Sequence, residues 1–220
     1  PLSTILLNLQ TMLKHPGLRE EEKKEMLQEG IEGVKRLEEQ VNNLLMGGEI
    51  LRNKGKHRGH SFSVLEECDS VKVIQKYLTE HVIYFKNHHV SIQKNIPESM
   101  NLHISRDLLY KVLSNIISNA IQYSGERPEI FLDLRIDGAR PEFCILTISD
   151  NGPGIPEDEL QNIFKPLYRL EKKSAPIRGT GMGLYIVKEI ILSCDGLIQA
   201  FSSNEEPGTK FEVRLPLARA

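Results

Sequence analysis

The sequence predicts an α+β chain: an antiparallel two-helix hairpin at the N-terminus, then an α/β sandwich with helices on one face of a mixed sheet. Three observations carry this. Apolar residues recur at steps of three and four from Leu27 to Leu45, the period of a helix with one buried seam. Further on, helical spacing alternates with short β-branched runs such as Cys144-Ile145-Leu146-Thr147-Ile148-Ser149, which suit a pleated, half-buried surface. Glycine-rich turns punctuate those runs, as at Asp150-Asn151-Gly152-Pro153-Gly154.

The elements follow in order. Residues 2–14 place Ile5, Leu6, Leu9, Met12 and Leu13 on an amphipathic helix, which His15-Pro16-Gly17 ends. A longer helix from about Arg19 to Lys54 carries the seam Leu27, Ile31, Val34, Leu37 or Glu38, Val41 and Leu44 or Leu45. Its charged run Glu20-Glu21-Glu22-Lys23-Lys24-Glu25 reads as a solvated face. Two helices alone cannot bury such a seam, and a second copy would complete a four-helix bundle, so a homodimer is expected. Gly55 to His60 is polar and glycine-punctuated, a linker between residues 1–55 and 61–220. His57 and His60 have no further ligand at metal-site spacing.

Within 61–220 the pattern predicts a short strand at Ser61–Val64 and a helix from Leu65 to about Phe85. After the loop residues His88-His89 come strands at Val90–Lys94 and Asn101–Ile104, then a helix through Leu109–Tyr123 with Ser105 as its N-cap. Strands Glu129–Ile136 and Glu142–Asp150 follow. The stretch from Pro156 to Arg178 is mostly polar and reads as a lid attached through Phe164 and Leu167. A helix over Leu184–Leu192 and strands at Leu197–Ser202 and Lys210–Leu215 complete the sandwich.

Composition narrows the function. A length of 220 residues suits one or two domains, and 40% hydrophobic content is enough for a core. A net charge of −2 makes no electrostatic case for nucleic acid or a membrane surface. Cys68, Cys144 and Cys194 are scattered and odd in number, which points to buried thiols in a reducing, cytoplasmic compartment. No apolar run approaches a membrane span, and the N-terminal apolar stretch lacks the basic lead of a signal peptide. Since the chain begins with Pro1, it is expected to be a piece of a longer protein.

Three stretches carry chemistry. Asp150 stands at the end of a strand with Gly152 and Gly154 leaving open space beside it, so its carboxylate can accept from a planar amine such as that of adenine. By itself the stretch is also a plain tight turn. Asn115 and Asn119, four apart, share a helix face and are hard amide donors suited to Mg2+, although solvated asparagines would look the same. Gly179-Thr180-Gly181-Met182-Gly183-Leu184 precedes a helix, so its N–H groups can approach an anion at the positive helix end, or else serve as a hinge. No Lys follows the last glycine, and the preceding segment is no strand, which excludes the phosphate loop and the dinucleotide fingerprint.

Taken in order, the asparagine helix, Asp150-Asn151-Gly152-Pro153-Gly154-Ile155, Ile163-Phe164-Lys165-Pro166-Leu167-Tyr168-Arg169, Gly179 to Leu184 and Gly208-Thr209-Lys210-Phe211 resemble the N, G1, F, G2 and G3 boxes of sensor histidine kinases. The resemblance covers roughly residues 60–217, and implies the GHKL-type ATP fold shared with DNA gyrase, mismatch-repair and chaperone ATPases. It implies these roles. Asp150 and Thr209 hold the adenine amine, Gly152, Gly154 and Ile155 make room for the base, and Tyr123 flanks it. Asn119 holds Mg2+ with Asn115 as second contact. Gly179, Thr180, Gly181, Met182, Gly183 and Leu184 receive the phosphates, and Tyr168-Arg169 belongs to the lid, with Arg169 approaching the transferred phosphate. The hairpin is similar to the family's dimerisation and phosphotransfer domain. Pro1-Leu2 matches the end of its His-Glu-x-x-x-Pro-Leu motif, so the phosphoacceptor histidine is expected just upstream. A response-regulator receiver domain would take the phosphoryl group. Two departures stand out: Gln122 replaces the usual Lys of the N box, and Leu167 replaces an aromatic. The alternatives are a catalytically inactive, dimeric ATP-sensing scaffold and a serine kinase of the anti-sigma-factor type.

Overall fold

A computed structural model of the chain describes residues 2–53, 66–170, 179–202 and 207–218, apart from the side chains of Thr4, Arg36 and Asn53. The expected linker, the strand at Ser61–Val64, His57, His60 and the lid residues 171–178 lie outside the described residues.

Helix α1 (Leu2–Lys14) and helix α2 (Glu20–Asn53) form the hairpin, turning at His15 to Arg19. The buried Asn8 pins them together: its Nδ2 donates to the Met26 carbonyl (3.2 Å) and to Glu29 (3.0 Å). At 34 residues α2 is roughly 50 Å long, while the 13 residues of α1 span roughly 20 Å. The C-terminal part of α2 therefore runs past α1 and packs on the sandwich, where Ile50 joins the core. Much of the seam stays in solvent: Leu6, Leu13, Leu27, Ile31, Val34, Val41 and Leu45 are all exposed.

The expected helix over 65–85 is corrected. Strand β1 (Cys68–Asp69) comes first, then α3 (Ser70–Glu80) and α4 (Val82–Asn87). Asp69 starts α3 by accepting from the N–H groups of Val71 and Lys72, a cap strong enough to override apolar periodicity upstream. His81 separates the two helices; its backbone leaves helical geometry and its Nδ1 lies 2.9 Å from the Tyr77 carbonyl oxygen. Beyond β2 (Ser91–Asn95) and β3 (Asn101–Leu102), Ser105 caps α5 (Arg106–Tyr123) through the Leu108 N–H.

Strands β4 (Glu129–Ile136), β5 (Phe143–Asp150), β6 (Leu197–Phe201) and β7 (Lys210–Pro216) join β2 in a five-stranded sheet of order β2-β4-β5-β7-β6. Only β2–β4 is parallel; the other pairs are antiparallel. One face is covered by α5 and α6 (Gly183–Ser193), packed on core residues that include Ile130, Leu132, Leu146, Ile148 and Val213, and α3 packs on α5. The three cysteines are buried and unpaired. Burial pushes the thiols of Cys68 and Cys194 up to about 11 and that of Cys144 up to about 12, which keeps them protonated. No helix among the described residues is long and apolar enough to cross a membrane.

Candidate active site

The centre of the site is the end of β5, the middle strand of the sheet. Asp150 closes it, and two loops reach over it. The Gly152 N–H donates to Asp150 Oδ1 (2.8 Å), and so does the Thr209 N–H (3.3 Å). The Asp150 N–H donates in turn to the Thr209 carbonyl (3.0 Å). Both described hydrogen bonds to the carboxylate thus fall on one oxygen, leaving Oδ2 for a ligand. Burial raises the Asp150 carboxyl above the ordinary aspartate range, while these two N–H groups act against the rise. The loops fit because their glycines leave space. A Cβ on Gly208 would lie 1.9 Å from the Asp150 carbonyl oxygen, and one on Gly152 would meet Asp150 Oδ1 at 2.7 Å and the Tyr123 carbonyl at 3.4 Å. Gly154 and Gly208 also adopt positive φ.

Helix α5 brings the two asparagines to different places. Asn119 is half-buried, and none of the hydrogen bonds among the described residues engages its side chain. Asn115 is buried and engaged at both ends. Its Nδ2 donates to the Lys111 carbonyl (2.9 Å), and its Oδ1 accepts from Asn43 Nδ2 (3.0 Å) on α2. The structure therefore leaves Asn119 open and turns Asn115 to the hairpin.

The glycine-rich loop leads into α6. Gly179 and Gly181 have positive φ, the Met182 N–H donates to Thr180 Oγ1 (3.3 Å), and no side chain caps the helix start. The N–H groups of Gly183 and Leu184 thus open a helix whose positive end carries no side-chain cap. Met182 itself is buried, with its terminal methyl in a notch at Gly47 of α2, where an added Cβ would lie 1.9 Å away.

The segment around Tyr168 abuts this loop: a Cβ on Gly181 would meet the Leu167 carbonyl carbon and the Tyr168 carbonyl oxygen at 2.8 Å. Leu167 does not anchor the lid as expected. It is 64% exposed and held at φ +60°, with its side chain pointing into solvent. Phe164 is the anchor, buried edge-on against Phe211 with ring centroids 6.4 Å apart. Tyr168 adds a hydrogen bond to Glu159, which raises the phenol and lowers the carboxyl. Arg169 is exposed, and its charge reaches the Tyr123 phenol, which burial pushes up. Sequence reasoning missed the α2 residues Glu39, Asn43 and Gly47; the glycine pair Gly47-Gly48 inside a helix was the available signal. It also missed Ser202, for which no local pattern exists.

A mixed sheet with helices on one face, an aspartate clamped at its central strand and an uncapped helix behind glycines define an ATPase domain of the GHKL fold class. Residues 104–219, more than half of the chain, match the family described as histidine kinase-, DNA gyrase B-, and HSP90-like ATPase, and the chain belongs to that family. It is 38% identical over 126 residues to Sensor protein KdpD of Escherichia coli (strain K12), covering 57% of this chain and 14% of that protein. With Sensor protein RprX of Bacteroides fragilis (strain YCH46) it shares 30% identity over 227 aligned residues, covering 100% of this chain and 41% of that protein. A solved structure, that of the mycobacterial sensor histidine kinase MprB, is similar at TM-score 0.59 and 26% identity, over 71% of this chain and 100% of that one. The domain is thus of the sensor histidine kinase type. The chain spans less than half the length of these curated relatives.

Proposed function

We propose that this chain is the ATP-dependent core of a protein histidine kinase in a two-component system. The γ-phosphoryl of ATP passes to a histidine of the protein and then to an aspartate of a response-regulator receiver domain. The observation that carries the reading is the Asp150 clamp, with one carboxylate oxygen held by Gly152 and Thr209 and the other left to an amine donor.

The residues divide the work. Asp150 accepts from the adenine amine, with Thr209 supporting it, and Tyr123 flanks the ring. Gly152, Gly154 and Ile155 shape the wall of the base pocket. The backbone of Gly179 to Leu184 and the start of α6 receive the phosphates. Asn119 is the metal residue: an open amide oxygen is a hard donor that suits Mg2+, with phosphates and waters completing the shell. Bound there, Mg2+ would neutralise phosphate charge. Arg169 brings a cation from the lid side to the same place, and Tyr168 holds that segment through Glu159. Catalysis then consists of positioning and charge stabilisation. The hairpin's exposed seam is the dimer interface, completed by a second copy, and the bundle is the docking place for the receiver domain. Three buried, free cysteines suit a reducing compartment such as the cytoplasm.

Calorimetric titration with ATP and ADP, with and without Mg2+, tests the reading. Saturable binding that Mg2+ strengthens and Asp150→Asn weakens is expected. A folded parent chain that binds no nucleotide would refute it.

A further inference from the structure

Ser202 is the first residue after β6, where a hydroxyl ordinarily meets water. Here it joins two distant loops. The Ile155 N–H donates to Ser202 Oγ (3.0 Å), and Ser202 Oγ donates to the Gly208 carbonyl (2.9 Å). One partner lies 47 residues upstream and the other 6 downstream. The approach is possible only because residue 154 has no side chain: a Cβ there would sit 2.5 Å from Ser202 Oγ. The same glycine has φ +74°, so the turn is shaped around the hydroxyl.

The loops that Ser202 joins are those that hold Asp150. Gly152 and Thr209, the two donors to Asp150 Oδ1, stand three residues before Ile155 and one after Gly208. Neither donor can hold its place if its loop drifts. A hydrogen bond to a charged acceptor is strong but falls off steeply with distance and angle. The Thr209 bond is already the longer of the two, at 3.3 Å, and has the least margin.

We propose that Ser202 is a positioning residue for recognition of the nucleotide base, acting through Asp150. It cross-braces the Gly152–Ile155 turn and the Gly208–Thr209 turn, and so sets the direction of the free carboxylate oxygen. This rests on the nucleotide reading above, and deepens it by assigning selectivity for a purine bearing an exocyclic amine to a residue that does not touch the base.

The test compares ATP with purine riboside triphosphate, which lacks the 6-amino group, for the parent chain, Asp150→Asn, Ser202→Ala and Ser202→Thr. The parent should prefer ATP, and Asp150→Asn should lose that preference; a parent without preference overturns the underlying base-recognition reading. Given those controls, Ser202→Ala should weaken ATP by about fivefold, the size of one ordinary hydrogen bond, and leave purine riboside triphosphate within about twofold. Ser202→Thr, which keeps the hydroxyl, should restore the preference. Equal losses for both nucleotides would show that Ser202 only supports the fold, and unchanged binding of both would show that it does nothing for the site; either overturns the proposal. If Ser202→Ala does not fold by circular dichroism, Ser202→Cys, with similar volume and a weak donor, carries the same comparison.

Discussion

At the scale of single residues, Asp150 concentrates the conflict between stability and binding. Burial raises its folded-state carboxyl above the ordinary aspartate range, and backbone N–H groups only partly oppose this. A raised folded pKa favours the protonated form. The stabilising contribution is therefore fully present below the unfolded value and is lost as pH rises through the folded one. At neutral pH the ionised carboxylate is held at a cost. Asp150→Asn is expected to raise the thermal midpoint at pH 7, with the gain disappearing as pH falls below the ordinary aspartate range. The same change should weaken ATP by about 10- to 100-fold, the loss of a hydrogen bond to a charged group. A lower midpoint at pH 7 would mean that the charge is stabilised in place. Gly208 shows why neighbouring positions tolerate so little: its missing Cβ is the space occupied by the Asp150 carbonyl.

Among the elements, α2 is the one whose role only its length explains. Its first part pairs with α1, and its last part lies on α5 and α6. Three contacts hold it there: the Asn43–Asn115 hydrogen bond, the Ser114 hydroxyl donating to Glu39, and Met182 in the Gly47 notch. Asn43 Oδ1 is buried with no hydrogen-bond partner among the described residues, and burial lowers the Lys111 ammonium. An Asn43→Asp change puts an unpaired carboxylate opposite the Asn115 oxygen, in a place that already leaves one oxygen unsatisfied. The C-terminal part of α2 should then leave the sandwich. Hydrogen exchange of amides 40–50 is expected to quicken by about tenfold or more, while amides in β5 and β7 stay protected. Unchanged exchange in 40–50 would show that Asn43 does not control the contact.

At the scale of the whole molecule, the hairpin presents apolar side chains that the described residues leave uncovered. Leu13 is 83% exposed, Leu45 64% and Leu7 62%, on helices of a hairpin too thin to bury both sides of its seam. A dimer through this face is the expected state in sedimentation at micromolar concentration. Leu6→Glu combined with Leu13→Glu should give monomers whose sheet spectrum by circular dichroism is unchanged. A parent chain that already sediments as a monomer would exclude the four-helix bundle. The charge balance of −2 gives long-range electrostatics little part in this assembly, so its strength should depend weakly on salt.

Much of this was legible in the residues because it depends on local physics. Apolar spacing alone located α1, α2, α5 and α6, and alternation located β4 and β5 within a residue or two. Glycines at 152, 154, 181 and 183 announced close approach, and Asp150 beside the first two announced a carboxylate with room beside it. The division of 65–85 was less legible, because its signals were a two-residue strand and a capping side chain, both weaker than apolar periodicity. What no local pattern contains is partnership across the chain. Asn115 and Asn119 are equivalent in sequence, four residues apart on one helix. They differ because α2 happens to lie over the first and not the second. Ser202 is one serine after a strand until two loops close on it. The sequence by itself determined the elements and the chemistry that they carry. The tertiary structure alone decided which donors and acceptors are already used, because hydrogen bonds between distant segments are set by packing, not by spacing.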